Sequence, residues 1–265
     1  MYSFNYQKAK SVDDAAKVIS KNADARLLAG GQSLIAAMKL RLSKPSDLID
    51  LGAIKGLSGI KVDSKTVTIG AMTRHAEVAA SAAVKKAIPA LASLAGGIGD
   101  RMVRNMGTIG GSLANNDPAA DYPAGVLGLG ATIVTNKRKI AADDFFKGMY
   151  ETALGKGEII EAVAFPVPKR AAYMKFKNPA SRYAIVGVFV ADLGSSVRVA
   201  VTGAGPVVFR ATQMEKALSS KFAPESVAEI RIPDKGLNSD LHAKADYRAH
   251  LITVMTRRAV EAALK

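Results

Sequence analysis

The residues best suited to chemistry in this 265-residue sequence sit in two glycine turns flanked by hydroxyls. The first, Leu28-Ala29-Gly30-Gly31-Gln32-Ser33-Leu34, leaves an apolar stretch and enters a helical one. Backbone N–H groups at such a junction are unpaired, glycine lets them approach an anion closely, and the Ser33 hydroxyl adds a donor. The second, Asn105-Met106-Gly107-Thr108-Ile109-Gly110-Gly111-Ser112, is followed by Asn115-Asn116-Asp117 and Asp121. It too is expected to be rich in free donors, with hydroxyls at Thr108 and Ser112. One such turn suits a single phosphate, and two that converge suit the diphosphate of a dinucleotide. A carboxylate such as Asp121 could then accept hydrogen bonds from ribose hydroxyls. Taken singly, each turn is better read as a helix entry or tight bend that holds nothing, and Asp121 serves equally well as a plain helix N-cap.

Other chemistries are excluded or disfavoured. No G-x-x-x-x-G-K-[ST] and no complete G-x-G-x-x-G occurs, so a conventional phosphate loop or Rossmann site is not expected. The chain has no cysteine, and so no disulfide, iron–sulfur cluster, thiolate zinc site or cysteine nucleophile of its own. Its three histidines, His75, His242 and His250, form no HExxH pair, which argues against a metal held by the protein. His75 reads as part of a helix start and the other two as part of the last helix, none with a chemical role. Asp143-Asp144 reads as a helix cap rather than an acid/base couple. Redox chemistry would therefore need an organic cofactor or a partner chain.

The formal charge is +14, from 37 Lys+Arg against 23 Asp+Glu. The basic residues are dispersed, with no block of five or six and no interleaved aromatics, so a nucleic-acid partner is not expected. Hydrophobic residues make up 49%, as in an ordinary globular protein. The longest uncharged run, Tyr122 to Asn136, has 15 residues broken by Pro123 and three glycines, too short and too broken for a transmembrane segment. With no apolar segment after a basic start near Met1, a cytoplasmic location is expected.

Elements that would position the turns follow from periodicity. Ser11 to Asn22 is expected to be a helix, with Ser11 and Asp14 as its start signal and Val12, Ala15, Ala16 and Ile19 along one face. Short strands are expected at Arg26 to Ala29 and Leu48 to Leu51, with a helix from Leu34 to Leu40 between them. A hairpin turns at Asp63-Ser64-Lys65, a helix from Ala82 to Ala95 is interrupted at Pro89, and another runs from Asp121 to Leu129. Strands are expected at Thr132 to Thr135 and Glu158 to Phe165, and Pro166-Val167-Pro168 is the clearest internal break. Beyond it come three apolar strands, Tyr173 to Lys177, Tyr183 to Ala191 and Val197 to Thr202. From Arg210 to Lys265 the chain reads as mostly helical, with the last helix starting near His242. The expected organisation is three α+β subdomains, 1–57, 58–166 and 167–265.

In their order along the chain these motifs resemble the FAD-binding medium subunit of the molybdenum hydroxylases, the group that includes carbon monoxide dehydrogenase, xanthine dehydrogenase and aldehyde oxidoreductases. The resemblance rests on Leu28 to Leu34 followed by Met38-Lys39-Leu40-Arg41-Leu42, on Ile69-Gly70-Ala71-Met72-Thr73, and on Arg104 to Ser112. Gly157-Glu158-Ile159-Ile160 before Phe165-Pro166, and Tyr247-Arg248 with Arg257-Arg258-Ala259-Val260, extend it over essentially the whole chain. It implies an α+β fold of the vanillyl-alcohol-oxidase/CO-dehydrogenase-flavoprotein type: two α/β subdomains holding FAD between them, and a C-terminal subdomain of antiparallel sheet and helices.

The resemblance further implies that Ala29, Gly30, Gly31, Gln32, Ser33 and Leu34, with Thr108, Ile109, Gly110, Gly111 and Ser112, bind FAD around its diphosphate. It puts Asp121 on the adenosine side, Ile98 and Ile160 beside the flavin ring, and Lys177 as a cation near the ring that would stabilise the reduced flavin's negative charge. Partners are implied as a small [2Fe–2S] subunit and a large molybdenum-cofactor subunit, assembled as a dimer of heterotrimers. The chain would take electrons from the iron–sulfur centres and pass them from flavin to an external acceptor. Three positions depart from the family pattern. Gln32 stands where relatives often have His or Asn, so FAD is expected to be non-covalent. Ser112 replaces a frequent Asn, and Arg182-Tyr183 lacks the acid that often precedes the tyrosine. A free-standing flavin oxidoreductase, and a basic nucleic-acid-binding or scaffold protein without cofactor, are the alternatives.

Overall fold

A computed structural model describes residues 1–265. The first layer is a three-stranded parallel sheet with two helices: β1 (Asn5–Lys8), α1 (Val12–Lys21), β2 (Arg26–Leu28), α2 (Leu34–Lys39) and β3 (Asp47–Asp50), in strand order β1-β3-β2. As the spacing predicts, Ser11 caps α1 by accepting from the Asp14 N–H, and Asp13 and Asp14 sit in its first turn. This layer has a small core of its own: Ala9, Ala15, Ile49, Leu51 and Leu57, closed by Ile159 from later in the chain.

The middle of the chain supplies a five-stranded antiparallel sheet and a wall of short helices. They run β4 (Ile60–Val62), β5 (Thr66–Gly70), α3 (His75–Ala80), α4 (Ala82–Ala87), α5 (Pro89–Gly96), α6 (Arg101–Met106), α7 (Ile109–Asn115) and α8 (Tyr122–Gly128). Next come β6 (Thr132–Thr135), β7 (Lys139–Ala141), α9 (Ala142–Phe145), a small hairpin of β8 (Phe146–Gly148) and β9 (Glu151–Thr152), and β10 (Ile160–Pro166). The sheet order is β4-β5-β10-β6-β7. The interruption expected at Pro89 divides the helical stretch 82–95 into α4 and α5, because Ile88 leaves helical geometry ahead of Pro89, which opens α5 at its first position.

The last layer is a four-stranded antiparallel sheet covered by two helices: β11 (Arg170–Lys177), β12 (Ala184–Asp192), β13 (Val197–Thr202), β14 (Phe209–Arg210), α10 (Thr212–Ser220) and α11 (Ala245–Ala263). The three expected strands gain β14 as a fourth, and α11 begins at Ala245. Between α10 and α11 there is only a short 3-10 turn, Pro224–Val227, so the mostly helical reading of 210–265 overreaches there. β12 is buried on both faces. Phe189 and Ala191 pack into the 30-residue core of the middle layer, while Val186, Val188 and Val190 pack against the α10/α11 side. Alternation of side chains along a strand makes this two-faced service possible.

Polar ties reinforce the same junction. Arg198 donates to the Leu127 carbonyl at 2.9 Å and, with Arg210, pairs with Asp143. Asp143 is thus an inter-layer anchor, and the residue in the N-cap position of α9 is Ala141, so the helix-cap reading of that acidic pair is corrected. No helix is long and apolar enough to cross a membrane.

Candidate functional site

A cleft of about 520 Å³ opens where the first layer meets the middle one, and both glycine turns line it. The turns meet directly. A Cβ on Gly30 would strike the Met106 carbonyl oxygen and lie 2.7 Å from Gly107 Cα, so only glycine allows this approach of two backbones. Ala29 and Gly111 face each other one residue further out.

The two turns differ in what their backbones offer. In the first, the N–H groups of Gly30, Gly31, Gln32, Ser33 and Leu34 donate to no other group of the chain. Gly31 takes φ +72°, a left-handed conformation that glycine adopts without strain, and the Ser33 hydroxyl makes no capping bond. In the second, the donors are already spent. Ile109 N–H goes to the Thr73 carbonyl, Gly110 N–H to Ala71 at 2.8 Å, and Gly111 N–H to the Thr108 hydroxyl, which caps α7. Ser112 N–H goes to the Thr108 carbonyl. The expectation of a second turn rich in free amides is therefore corrected: its sequence is a helix start, with two amides taken up by an edge-like contact with residues 71–75 and two by Thr108.

Of the residues named from the sequence, Ala29 to Leu34, Ile98, Thr108, Gly110, Gly111, Ser112, Asp121 and Ile160 all line the cleft. Ile109 does not; its side chain is fully buried in the middle core, so only its backbone belongs to the turn. Lys177 does not line it either. The pairing of β11 with β12 slips between Phe176 and Lys177, and past that bulge the Lys177 side chain is exposed to solvent.

The lysine two residues earlier is engaged elsewhere. Lys175 Nζ lies 2.9 Å from Asp121 Oδ1 and 3.1 Å from Oδ2, and the Tyr173 hydroxyl donates to Oδ1 at 2.5 Å. Lys175 also donates to the Gly97 carbonyl at 2.8 Å. Burial pushes the Asp121 carboxyl up from its ordinary range, and Lys175 and Tyr173 pull it back. Asp121 occupies the N-cap position of α8 without capping it, and its carboxylate is committed to β11. The side chain proposed for ribose is thus an inter-layer tie, a role invisible in sequence because its partners lie 52 and 54 residues away.

Sequence reasoning missed several lining residues. His75, the first residue of α3, is 5% exposed, and the Gly107 position it packs against would bring a Cβ to 2.6 Å from Nε2. Its Nδ1 has no partner, and burial, with Arg104 nearby, lowers its pKa to about 4, so it is neutral at pH 7. Glu158 also lines the cleft but accepts from Arg138, Thr135 and Gly155. The Arg138 hydrogen bond is the largest cause of a carboxyl held at about 2. At the mouth, Ser181, Arg182 and Tyr183 enter from the β11–β12 hairpin, with Arg182 at φ +63°. Opposite them Asp117 lies beside the β8–β9 tip, where Tyr150 is at φ +57° and Asn116 holds the hairpin through the Gly148 and Glu151 carbonyls.

This donor set suits an anionic, elongated cofactor. It combines open amides and uncommitted hydroxyls at the centre with apolar walls such as Leu27, Ile98, Ile159 and Ile160 beside them. Asp121 and Glu158 meet the cleft as ion pairs with Lys175 and Arg138, which offsets their repulsion of a diphosphate.

Comparison with known proteins agrees over the full length. Residues 2–168 match the family model described as the FAD binding domain in molybdopterin dehydrogenase, and residues 171–263 that of the CO dehydrogenase flavoprotein C-terminal domain. The chain is 35% identical to the nicotine 6-hydroxylase medium subunit of Paenarthrobacter nicotinovorans, across 97% of this chain and 96% of the relative. It is 34% identical to the glyceraldehyde dehydrogenase medium chain of Sulfolobus acidocaldarius, over 97% and 96%. A solved carbon monoxide dehydrogenase from Hydrogenophaga pseudoflava, lacking the Mo-pyranopterin moiety of its cofactor, superposes with a TM-score of 0.89 at 35% identity, covering 99% of this chain and 98% of that one.

Proposed function

This chain belongs to the family of FAD-binding medium subunits of the molybdenum hydroxylases, and on that premise we propose that FAD binds non-covalently across its two glycine turns. It is an oxidoreductase subunit whose relatives work as components of multi-subunit complexes. One observation carries the assignment of the cleft: five unclaimed amides, Gly30 to Leu34, at the point where the backbone of one turn touches the backbone of the other. Bound FAD supplies what the side chains cannot, the ability to accept and release electrons. Gly30 to Leu34 would hold the diphosphate, with the Ser33 and Ser112 hydroxyls as further donors. Ile98 and Ile160 would exclude water from an apolar ring, and Tyr183 would close the mouth from the third layer. Gln32 carries no group able to form a covalent flavin link, which supports non-covalent binding.

The chain has no cysteine, so the iron–sulfur centres must belong to another polypeptide. We assign as partners a small [2Fe–2S] subunit and a large molybdenum-cofactor subunit, in a dimer of heterotrimers. The relatives act on substrates as unlike as nicotine, glyceraldehyde and carbon monoxide, which fits a subunit that handles electrons while substrate is chosen elsewhere. The test is direct. Protein purified with its natural partners should be yellow and release a fluorescent flavin on heating, with two further subunits in stoichiometric amount. Colourless protein that takes up no added FAD would overturn the assignment.

A further inference from the structure

His75 stands out as a buried side chain whose ring makes no hydrogen bond within the chain. It is 5% exposed; its Nδ1 is fully buried without a partner, and Nε2, which has none either, is the less deeply buried of the two nitrogens in a ring that lines the cleft. Burying an unpaired imidazole is costly, and Nε2 is the nitrogen a ligand or water in the cleft could reach to offset that cost. Its surroundings say which. The ring lines the cleft, and Nε2 points at the spot where Gly107 has room for no side chain. Gly107 in turn is the residue against which Gly30 of the open-amide turn packs, with its Cα 2.7 Å from where a Gly30 Cβ would stand. The imidazole therefore lines the cleft beside the junction of the two turns. The His75 N–H donates to the Gly107 carbonyl at 2.9 Å and fixes the residue against that loop, while the Tyr122 ring, 5.3 Å away between centroids, backs the imidazole.

We infer that His75 is a ligand-contacting residue whose Nε2–H donates a hydrogen bond to an oxygen of the FAD diphosphate held at that junction. A neutral imidazole suits this place, since Arg104 is close enough to disfavour a second cation there. The donation also answers the deficit of the second turn, whose own amides are spent on residues 71–73 and 108. In this reading Gly107 is glycine so that His75 can reach past it.

The inference rests on the cleft being the FAD site, so the experiment separates the two. FAD affinity is measured for the full chain, purified with its partner subunits where they remain bound, as wild type, His75→Leu and His75→Gln. His75→Leu should bind about tenfold or more weakly, the loss typical of a hydrogen bond to a charged group, and His75→Gln, whose amide keeps a donor, should recover most of it. On the wild-type chain labelled with 15N-histidine, FAD should also shift the His75 Nε2 resonance and slow exchange of its proton, a change that a merely space-filling residue would not show. Equal FAD affinity in wild type and His75→Leu, or an unmoved Nε2 resonance, would overturn the role given to His75. Failure of wild type to bind FAD at all would instead overturn the cleft assignment. Should His75→Leu not fold, the Gln variant and the resonance decide.

Discussion

Between Gly30 and Leu34 five amides are unclaimed, whereas from Ile109 to Ser112 every amide already donates to a carbonyl or hydroxyl of the chain. The contrast extends to what stands behind each turn. The first rides on a layer whose core has six buried residues, one of them borrowed from the middle of the chain. The second is bedded in a core of 30, to which the C-terminal sheet is joined through Phe189, Ala191 and Ala200. Two stretches of similar composition thus share the work unequally. One offers donors from a lightly supported layer, and the other offers a fixed surface against which they are set.

Cutting the supports of the fixed turn should have the largest effect. Asp121→Ala leaves Lys175 without its carboxylate in a site where that side chain is only 8% exposed, and should cost about 3–5 kcal/mol in denaturant unfolding. A loss under about 1 kcal/mol would show that the tie to β11 is not what holds this wall. Acid should weaken the same wall next. His75 has a pKa of about 4 in the folded chain against 6.5 when unfolded, so the unfolded chain takes up the proton first as pH falls. The stability gained by keeping it neutral is complete above pH 6.5 and is lost on the way down to about pH 4, roughly 3 kcal/mol in all. Urea midpoints of wild type and His75→Gln should converge across that window, and parallel curves would refute the assignment.

The open turn should fail chiefly in binding. Gly30→Ala forces the two backbones apart, which should cost about 1–3 kcal/mol in unfolding and weaken FAD retention about a hundredfold, since small displacements of a positioning element carry penalties of that order. Flavin content of the purified variant measures it, and a full complement of FAD would break the claim that the turns must touch. The smallest effect belongs to Lys177→Ala. Its charge is exposed beyond the β11 bulge, and FAD affinity should stay within about twofold of wild type. A large loss would return the lysine to the flavin.

What the sequence made legible was local. The Ser11/Asp14 cap and one-sided apolar spacing located α1, and the run Val197–Thr202 located β13 residue for residue. The glycine turns were visible as anion-binding candidates because glycine and hydroxyls announce close backbone approach. What stayed hidden depends on distant partners. β1 is exposed along its length and shows no alternation; it is a strand only because β3, some forty residues on, pairs with it. α6 and α7 were obscured by Gly107, Gly110 and Gly111, which read as loop although packing against residues 71–75 makes a helix start of the last two. Lys177 is put near the ring by the resemblance alone, and the bulge that turns its side chain to solvent depends on register with β12, which cannot be seen from one strand. His75 carried no local signal at all; its interest arises only when Gly107 is brought against it.

The double burial of β12 has a consequence for how such proteins can be rearranged. The boundary between the two family models falls near residue 170, yet β12, well beyond it, furnishes side chains to the interior on either side. Severing the polypeptide there would strip the flavin half of part of its own filling and leave a greasy ledge in water. A chimera built by trading C-terminal modules between relatives would have to carry matching residues at 189, 191 and 200, so the two halves are bound to diverge in step.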